Sequence, residues 1–301
     1  MTSPGRDFFD GAAFSPGGSL LKTLFAPVLL PTTLQTNPTM NLRLNDSLAL
    51  VSASTKGIGL AIARALAREG ARVILNGRTA AAVDEAAARI RTDVPGARLE
   101  LFPGDLALAA TADRLAAAFP QVDILVNNLG IFDPKPFAGI TDAEWRRFFE
   151  VNVLSGVRLS RLYFDGMLQR NRGRIVFISS ESALQIPAEM IHYGMTKTAQ
   201  LAVARGLAEL TAGTAVTVNS VLPGPTRSEG VEEFVAKLSG GRPFADFEKE
   251  FFEKVRPSSL LKRFETVDEI AEVVAFVCSP LASGINGSAL RVEGGVIRSI
   301  A

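Results

Sequence analysis

Short, almost wholly apolar runs recur along the chain from residue 48 onward. They occupy residues 48–51, 72–75, 98–102, 124–126, 175–178, 216–219 and 289–292. Between them lie longer stretches in which apolar residues recur at helical spacing. A run that is apolar on both faces predicts a strand buried on both sides, hence a parallel sheet. Thr141 with Glu144 and Thr266 with Glu269 have the spacing of capping boxes, and Gly70 after Arg68-Glu69 reads as a helix stop. Residues 141–169 keep a helical period throughout. The alternation predicts an α/β, doubly wound Rossmann-type sandwich: one domain, a seven-stranded parallel sheet, and ligands at the carboxyl ends of the strands.

Residues 1–39 break this pattern. They are rich in Pro, Gly, Ser and Thr and carry no sustained period, which predicts a flexible N-terminal extension. Met40 then reads as an alternative start, and residues 40–301 as the folded domain.

Composition narrows the class. In 301 residues, 47% are hydrophobic and 21% charged, which suits a sizeable core. The net charge of +1 offers no attraction for nucleic acid or an anionic membrane. The single cysteine, Cys278, excludes an intrachain disulfide and suits a reducing, cytoplasmic setting. It lies within an apolar run and reads as core. The single histidine excludes a multi-histidine metal site.

The first strand runs into Ser52-Ala53-Ser54-Thr55-Lys56-Gly57-Ile58-Gly59. Glycines let a backbone approach a pyrophosphate, and the following helix N-terminus supplies N–H groups and a positive dipole. The candidate contacts here are Ser52, Ser54, Lys56, Gly57, Ile58 and Gly59. The second strand ends Asn76-Gly77-Arg78-Thr79. A carboxylate at this point would hold the ribose hydroxyls of NAD. Its absence, with Arg78 and Lys56 nearby, favours NADP(H) over NAD(H). Asp105-Leu106 after the third strand can reach an adenine, or Asp105 can cap a loop. Asn128 and Gly130, after the fourth strand, can meet a ribose or tie strand ends together.

A second cluster follows the fifth run. Ser180 closes that strand, and Tyr193 precedes Lys197 by four residues, so phenol and ammonium share a helix face. A nearby ammonium is expected to lower the phenol pKa and ready it for proton exchange with a carbonyl or alcohol oxygen. Ser180 can bind the same oxygen. Asn152, an unfavourable residue inside a helix, is a candidate for holding a water that restores the proton. Glu181, Gln185, Glu189, Met190 and His192 flank this cluster.

In their order these residues resemble the short-chain dehydrogenase/reductase family over roughly residues 44–297. The likeness rests on the glycine turn ending at Gly59, Asp105, Asn127-Asn128-Leu129-Gly130, Asn152, Ser180, Tyr193 with Lys197, and Pro223-Gly224. The family's opening Thr-Gly is replaced by Ser52-Ala53. Leu129 replaces an alanine, and Glu293 stands where aspartate is frequent.

The resemblance implies a catalytic quartet of Asn152, Ser180, Tyr193 and Lys197. It implies that Lys197 holds the nicotinamide ribose, that the loop with Pro223, Gly224 and Thr226 meets the cofactor, and that the chain forms a homotetramer or homodimer. The expected activity is NADP(H)-dependent interconversion of a small-molecule carbonyl and a secondary alcohol. An NAD-linked alcohol or sugar dehydrogenase and a non-catalytic NADPH sensor are the competing readings. Residues 227–263 read as a lid, with Phe234, Phe244, Phe247, Phe251 and Phe252 either packing on substrate or anchoring two lid helices.

Overall fold

The seven apolar runs become the strands of one sheet, because each places apolar side chains on both faces. A computed structural model describes residues 41–239 and 243–300; the expected N-terminal extension and Met40 lie outside the described residues. Strands β1 (Leu48–Val51), β2 (Arg72–Gly77), β3 (Leu99–Pro103), β4 (Ile124–Asn127), β5 (Gly173–Ile178), β6 (Val216–Pro223) and β9 (Ala289–Val292) pair in the order β3-β2-β1-β4-β5-β6-β9. Every pairing is parallel. Sequence order reverses between β1 and β4, which opens a crevice at their carboxyl ends.

Alternate strand residues feed two cores. On one face Ala49, Val51, Val73, Leu75, Val126 and Val176 meet α1 (Gly57–Arg68), α2 (Ala80–Asp93) and α9 (Val267–Val277). On the other, Leu50, Ile74, Leu125, Ile175 and Phe177 meet α3 (Ala109–Ala118), α5 (Ser155–Gln169) and α6 (Ile191–Glu209). Cys278 is buried in the first core, and burial pushes its thiol up to about 12. No helix among the described residues is long and apolar enough to cross a membrane.

Both capping boxes form, at Thr141 before α4 (Asp142–Phe149) and at Thr266 before α9. Gly70 ends α1 with a φ of 87°. Two departures from the expected elements bear on the site. The helix over 141–169 is not continuous: residues Glu150–Leu154 form a π-helical turn between α4 and α5, with Asn152 buried inside it. Strand β6 runs four residues beyond its expected end, to Pro223. Asn219 and Ser220 look like a stop in the sequence, but Asn219 bonds the backbone of Ile285 and Ser288, and residues 220–223 pair with β9.

The lid is helical, as α7 (Glu229–Ser239) and α8 (Phe244–Lys254). Two-residue strands β7 (Thr226–Arg227) and β8 (Glu265–Thr266) pin its two ends together.

Candidate active site

The turn after β1 is held by side chains from three strand ends. Ser52 Oγ accepts from the backbone N–H groups of Asn128 and Leu129 at 2.9 and 3.0 Å. Asn128 Nδ2 donates to the carbonyls of Ser52 and Ala53, so its side chain ties the turn together. The Asn76 amide binds Ala53 N–H on one side and the carbonyls of Phe102 and Gly104 on the other. Ser54 Oγ accepts from Asn76 N–H at 2.9 Å. Gly59 is forced by proximity: a Cβ there would stand 2.4 Å from the Ala53 carbonyl oxygen. Gly77 is equally crowded, by Thr55 at 2.3 Å, and this brings the strand end carrying Arg78 against the turn carrying Lys56.

Arg78 is exposed and forms no ion pair among the described residues. Lys56 lies 3.6 Å from Glu233, with both side chains 60% exposed, a pair too solvated to hold it. Asp105 Oδ1 accepts from Ala107 N–H at 2.9 Å and caps its own loop, while Leu106 is buried in the core. The Gly57 N–H at the start of α1 donates to Glu229 of the lid at 2.8 Å. These residues suit a dinucleotide: small residues at the turn, a helix N-terminus, and no acid at the end of β2.

Across the crevice, β5 and α6 bring Ser180, Tyr193 and Lys197 to one cavity of about 550 Å³. Ile58, Asn128, Gly130, Pro223, Gly224 and Thr226 line its other side. Lys197 Nζ stands 5.5 Å from the Tyr193 ring centre and donates to the Ile178 carbonyl at 2.9 Å. Burial without a paired carboxylate pulls its ammonium down to about 7. The phenol does not follow the expected direction. Burial, then the Glu181 carboxylate, push Tyr193 above its ordinary value; a hydrogen bond to Ser180 and the charge of Arg256 offset only part of this. Lys197, itself weakened by burial, contributes no resolved lowering.

Asn152 is fully committed. Its Oδ1 accepts from Ile131 N–H, and its Nδ2 donates to Ile131 carbonyl and to Thr196 Oγ1. It thereby fastens the loop after β4 to the second turn of α6.

Glu181 lies beneath this centre. It accepts from Ser180 Oγ at 2.5 Å and from Ser182 N–H at 2.8 Å, and pairs with Arg256 Nε at 3.1 Å. Arg256 comes from the end of the lid and also reaches Glu189 at 3.2 Å. Glu181, Glu189 and Met190 border the cavity. Gln185 is exposed elsewhere. His192 turns away to pack on Phe148 and Trp145, at 4.0 and 5.8 Å.

Four of the lid phenylalanines anchor α8. Phe244, Phe247, Phe251 and Phe252 cluster around Phe264 at 5.0–6.4 Å, and Phe247, Phe251 and Phe264 also line the cavity. The side chain of Phe234 lies outside the described residues. Asn76, Gln200, Arg256 and Glu265, which accepts from the Gly224 N–H of the cavity wall at 3.1 Å, were not legible as site residues, because their partners are remote in sequence. Only the polarity of Asn76 and Gln200 within apolar stretches hinted at buried work.

Comparison with known proteins agrees with this geometry. Residues 52–297 match the family model described as enoyl-(acyl carrier protein) reductase. The chain is 48% identical over 263 residues to the uncharacterized oxidoreductase YvaG of Bacillus subtilis, covering 87% of this chain and all of that one. It is 31% identical to the 3-oxoacyl-[acyl-carrier-protein] reductase FabG of Aquifex aeolicus, over 85% of this chain and all of the relative. The crystal structure of L-sorbose reductase from Gluconobacter frateurii, complexed with NADPH and L-sorbose, superposes with a TM-score of 0.81. It is 28% identical and covers 87% of this chain and all of that one. The chain thus belongs to the short-chain dehydrogenase/reductase family and is an NAD(P)-dependent oxidoreductase acting on CH–OH groups.

Proposed function

We propose that the chain is an NADP(H)-dependent enzyme that interconverts a ketone and a secondary alcohol, with Tyr193 as the proton donor and acceptor. The observation that carries this is convergence: Ser180, Tyr193 and Lys197 border the same cavity as the turn after β1 and the Pro223–Thr226 loop. A nicotinamide held between the turn after β1 and the Pro223–Thr226 loop would supply or accept the hydride. Ser180 and Tyr193 bind the reacting oxygen, and Tyr193 gives it a proton during reduction. Lys197 faces the phenol ring and holds the neighbouring ribose. In the cofactor-free protein the phenol is kept protonated by burial and Glu181, which readies it as an acid for carbonyl reduction.

Arg78 and Lys56, with no carboxylate at the end of β2, support a preference for the 2′-phosphorylated cofactor. The substrate end of the cavity is walled by Ile131, Phe132, Met190, Phe247 and Phe251. Its charged residues balance, Glu181, Glu189 and Glu250 against Lys197, Lys254 and Arg256. With no excess of either sign to attract an ion, a neutral carbonyl compound with an apolar body fits best.

Tyr193→Phe tests the assignment. Turnover of a ketone panel, followed at the nicotinamide absorbance, should fall by at least about a thousandfold, while NADPH affinity stays unchanged. Substantial hydride transfer in that variant would defeat the role given to Tyr193.

A further inference from the structure

Gln200 lies three residues beyond Lys197 on α6 and is 1% exposed. Its side-chain amide spans two parts of the reacting centre. Oε1 accepts from Lys197 Nζ at 3.2 Å, and Nε2 donates to the main-chain carbonyl of Asn152 at 2.6 Å. The second contact reaches into the π turn, which is where the helix over α4 and α5 loses its regular ladder.

The orientation of this amide is self-enforcing. Reversed, its NH₂ would face an ammonium and its oxygen would face a carbonyl, and both contacts would repel. Among the described residues the Lys197 ammonium makes no ion pair. Its acceptors are two neutral oxygens, Ile178 carbonyl and Gln200 Oε1. The titratable and charged groups around it are Tyr193 on its own helix, Glu181 on the turn after β5 and Arg256 from the lid. The last two bind each other at 3.1 Å. No carboxylate is therefore left over to stabilise Lys197, and Gln200 supplies the side-chain dipole that does so.

We propose that Gln200 is a positioning residue for Lys197: its amide clamps the ammonium to the Asn152 carbonyl and sets the pH range over which Lys197 stays charged. This rests on the Tyr193–Lys197 chemistry proposed above. An amide neither takes up nor releases a proton near neutral pH, so Gln200 holds the ammonium and takes no part in proton transfer.

The test uses Gln200→Leu and Gln200→Glu. Lys197 is titrated by ¹³C NMR of Cε-labelled lysine, assigned with Lys197→Met, and the kcat–pH profile is recorded with NADPH and a turned-over ketone. Losing the acceptor in Gln200→Leu should move the Lys197 midpoint and the alkaline limb of kcat down by about one pH unit. The ketone KM should stay within about twofold. A carboxylate in Gln200→Glu should move both up by about one pH unit or more. Opposite displacements are not expected of a residue that only fills space. Unmoved midpoints, or displacement of both variants in the same direction, would overturn the proposal. If the leucine variant does not fold, the glutamate variant decides alone: a midpoint at or below wild type overturns it. If wild type reduces no ketone, the NMR midpoints still judge Gln200, and only the proposed function fails.

Discussion

Arg78 sits one residue past β2, beside a glycine that exists to let Thr55 come close. Its exposed guanidinium has no partner among the described residues to give up on binding a phosphate. A charge-assisted contact to phosphate is worth about 1.5–3 kcal/mol. Arg78→Ala should therefore raise the KM for NADPH by about tenfold or more while leaving NADH kinetics unchanged. Parallel measurements with both cofactors check this, and equal losses would show that Arg78 does not read the 2′-phosphate. Ala53 next to this turn adopts a φ of 52°, a conformation that suits glycine better than any L residue. The sequence already flagged this substitution against the family pattern. The phenol of Tyr193 was less legible. Its neighbour Lys197 was visible in the spacing, whereas Glu181, which opposes ionisation, acts through a fold contact.

At the level of elements, the most deeply buried ion pair between lid and body among the described residues is made by an arginine. Arg256 and Glu181 are 8% and 6% exposed at their side chains, and the bond between them joins the end of α8 to the turn after β5. Breaking a buried pair leaves an uncompensated charge, costing about 3–5 kcal/mol, whereas the half-exposed Glu189 contributes little. Arg256→Met should lower stability in urea by about 3 kcal/mol and raise the KM for the carbonyl substrate. Adding Glu181→Gln to that variant should restore most of the stability, because the stranded charge is then gone. A double variant as unstable as the single one would place the cost in packing against Phe251 instead. Helix ends were readable here, since a capping box is local: Thr141–Glu144 and Thr266–Glu269 both form. The π turn was not, because five residues are too few for their period to be distinguished from that of an α-helix.

For the whole molecule, two buried groups shape stability against pH. Burial raises Glu265 from 4.5 to about 7 and lowers Lys197 from 10.5 to about 7. Between pH 4.5 and 7 the folded state holds a proton on Glu265 that the unfolded chain has lost, so stability falls as pH rises. Between pH 7 and 10.5 the unfolded chain holds a proton on Lys197 that the folded state has lost, so stability rises with pH. These two groups together put a trough near neutral pH. Glu265→Gln should remove the fall on the acid side, as read from urea midpoints at pH 5 and 7 in the cofactor-free protein. An unchanged slope would show that Glu265 keeps its ordinary value.

The chain itself determined the strand cores, the parallel sheet, the turn after β1 and the set Ser180, Tyr193 and Lys197. All of these follow from short-range periodicity and fixed spacing. Tertiary structure decided what surrounds them. Asn152 meets Gln200 across 48 positions, and Arg256 meets Glu181 across 75. The direction in which Tyr193 and Lys197 titrate depends on burial and, for Tyr193, on the Glu181 carboxylate carried in by another element. Desolvation and long-range pairing exist only once the sheet has brought distant segments to one crevice, and so no local pattern could carry them.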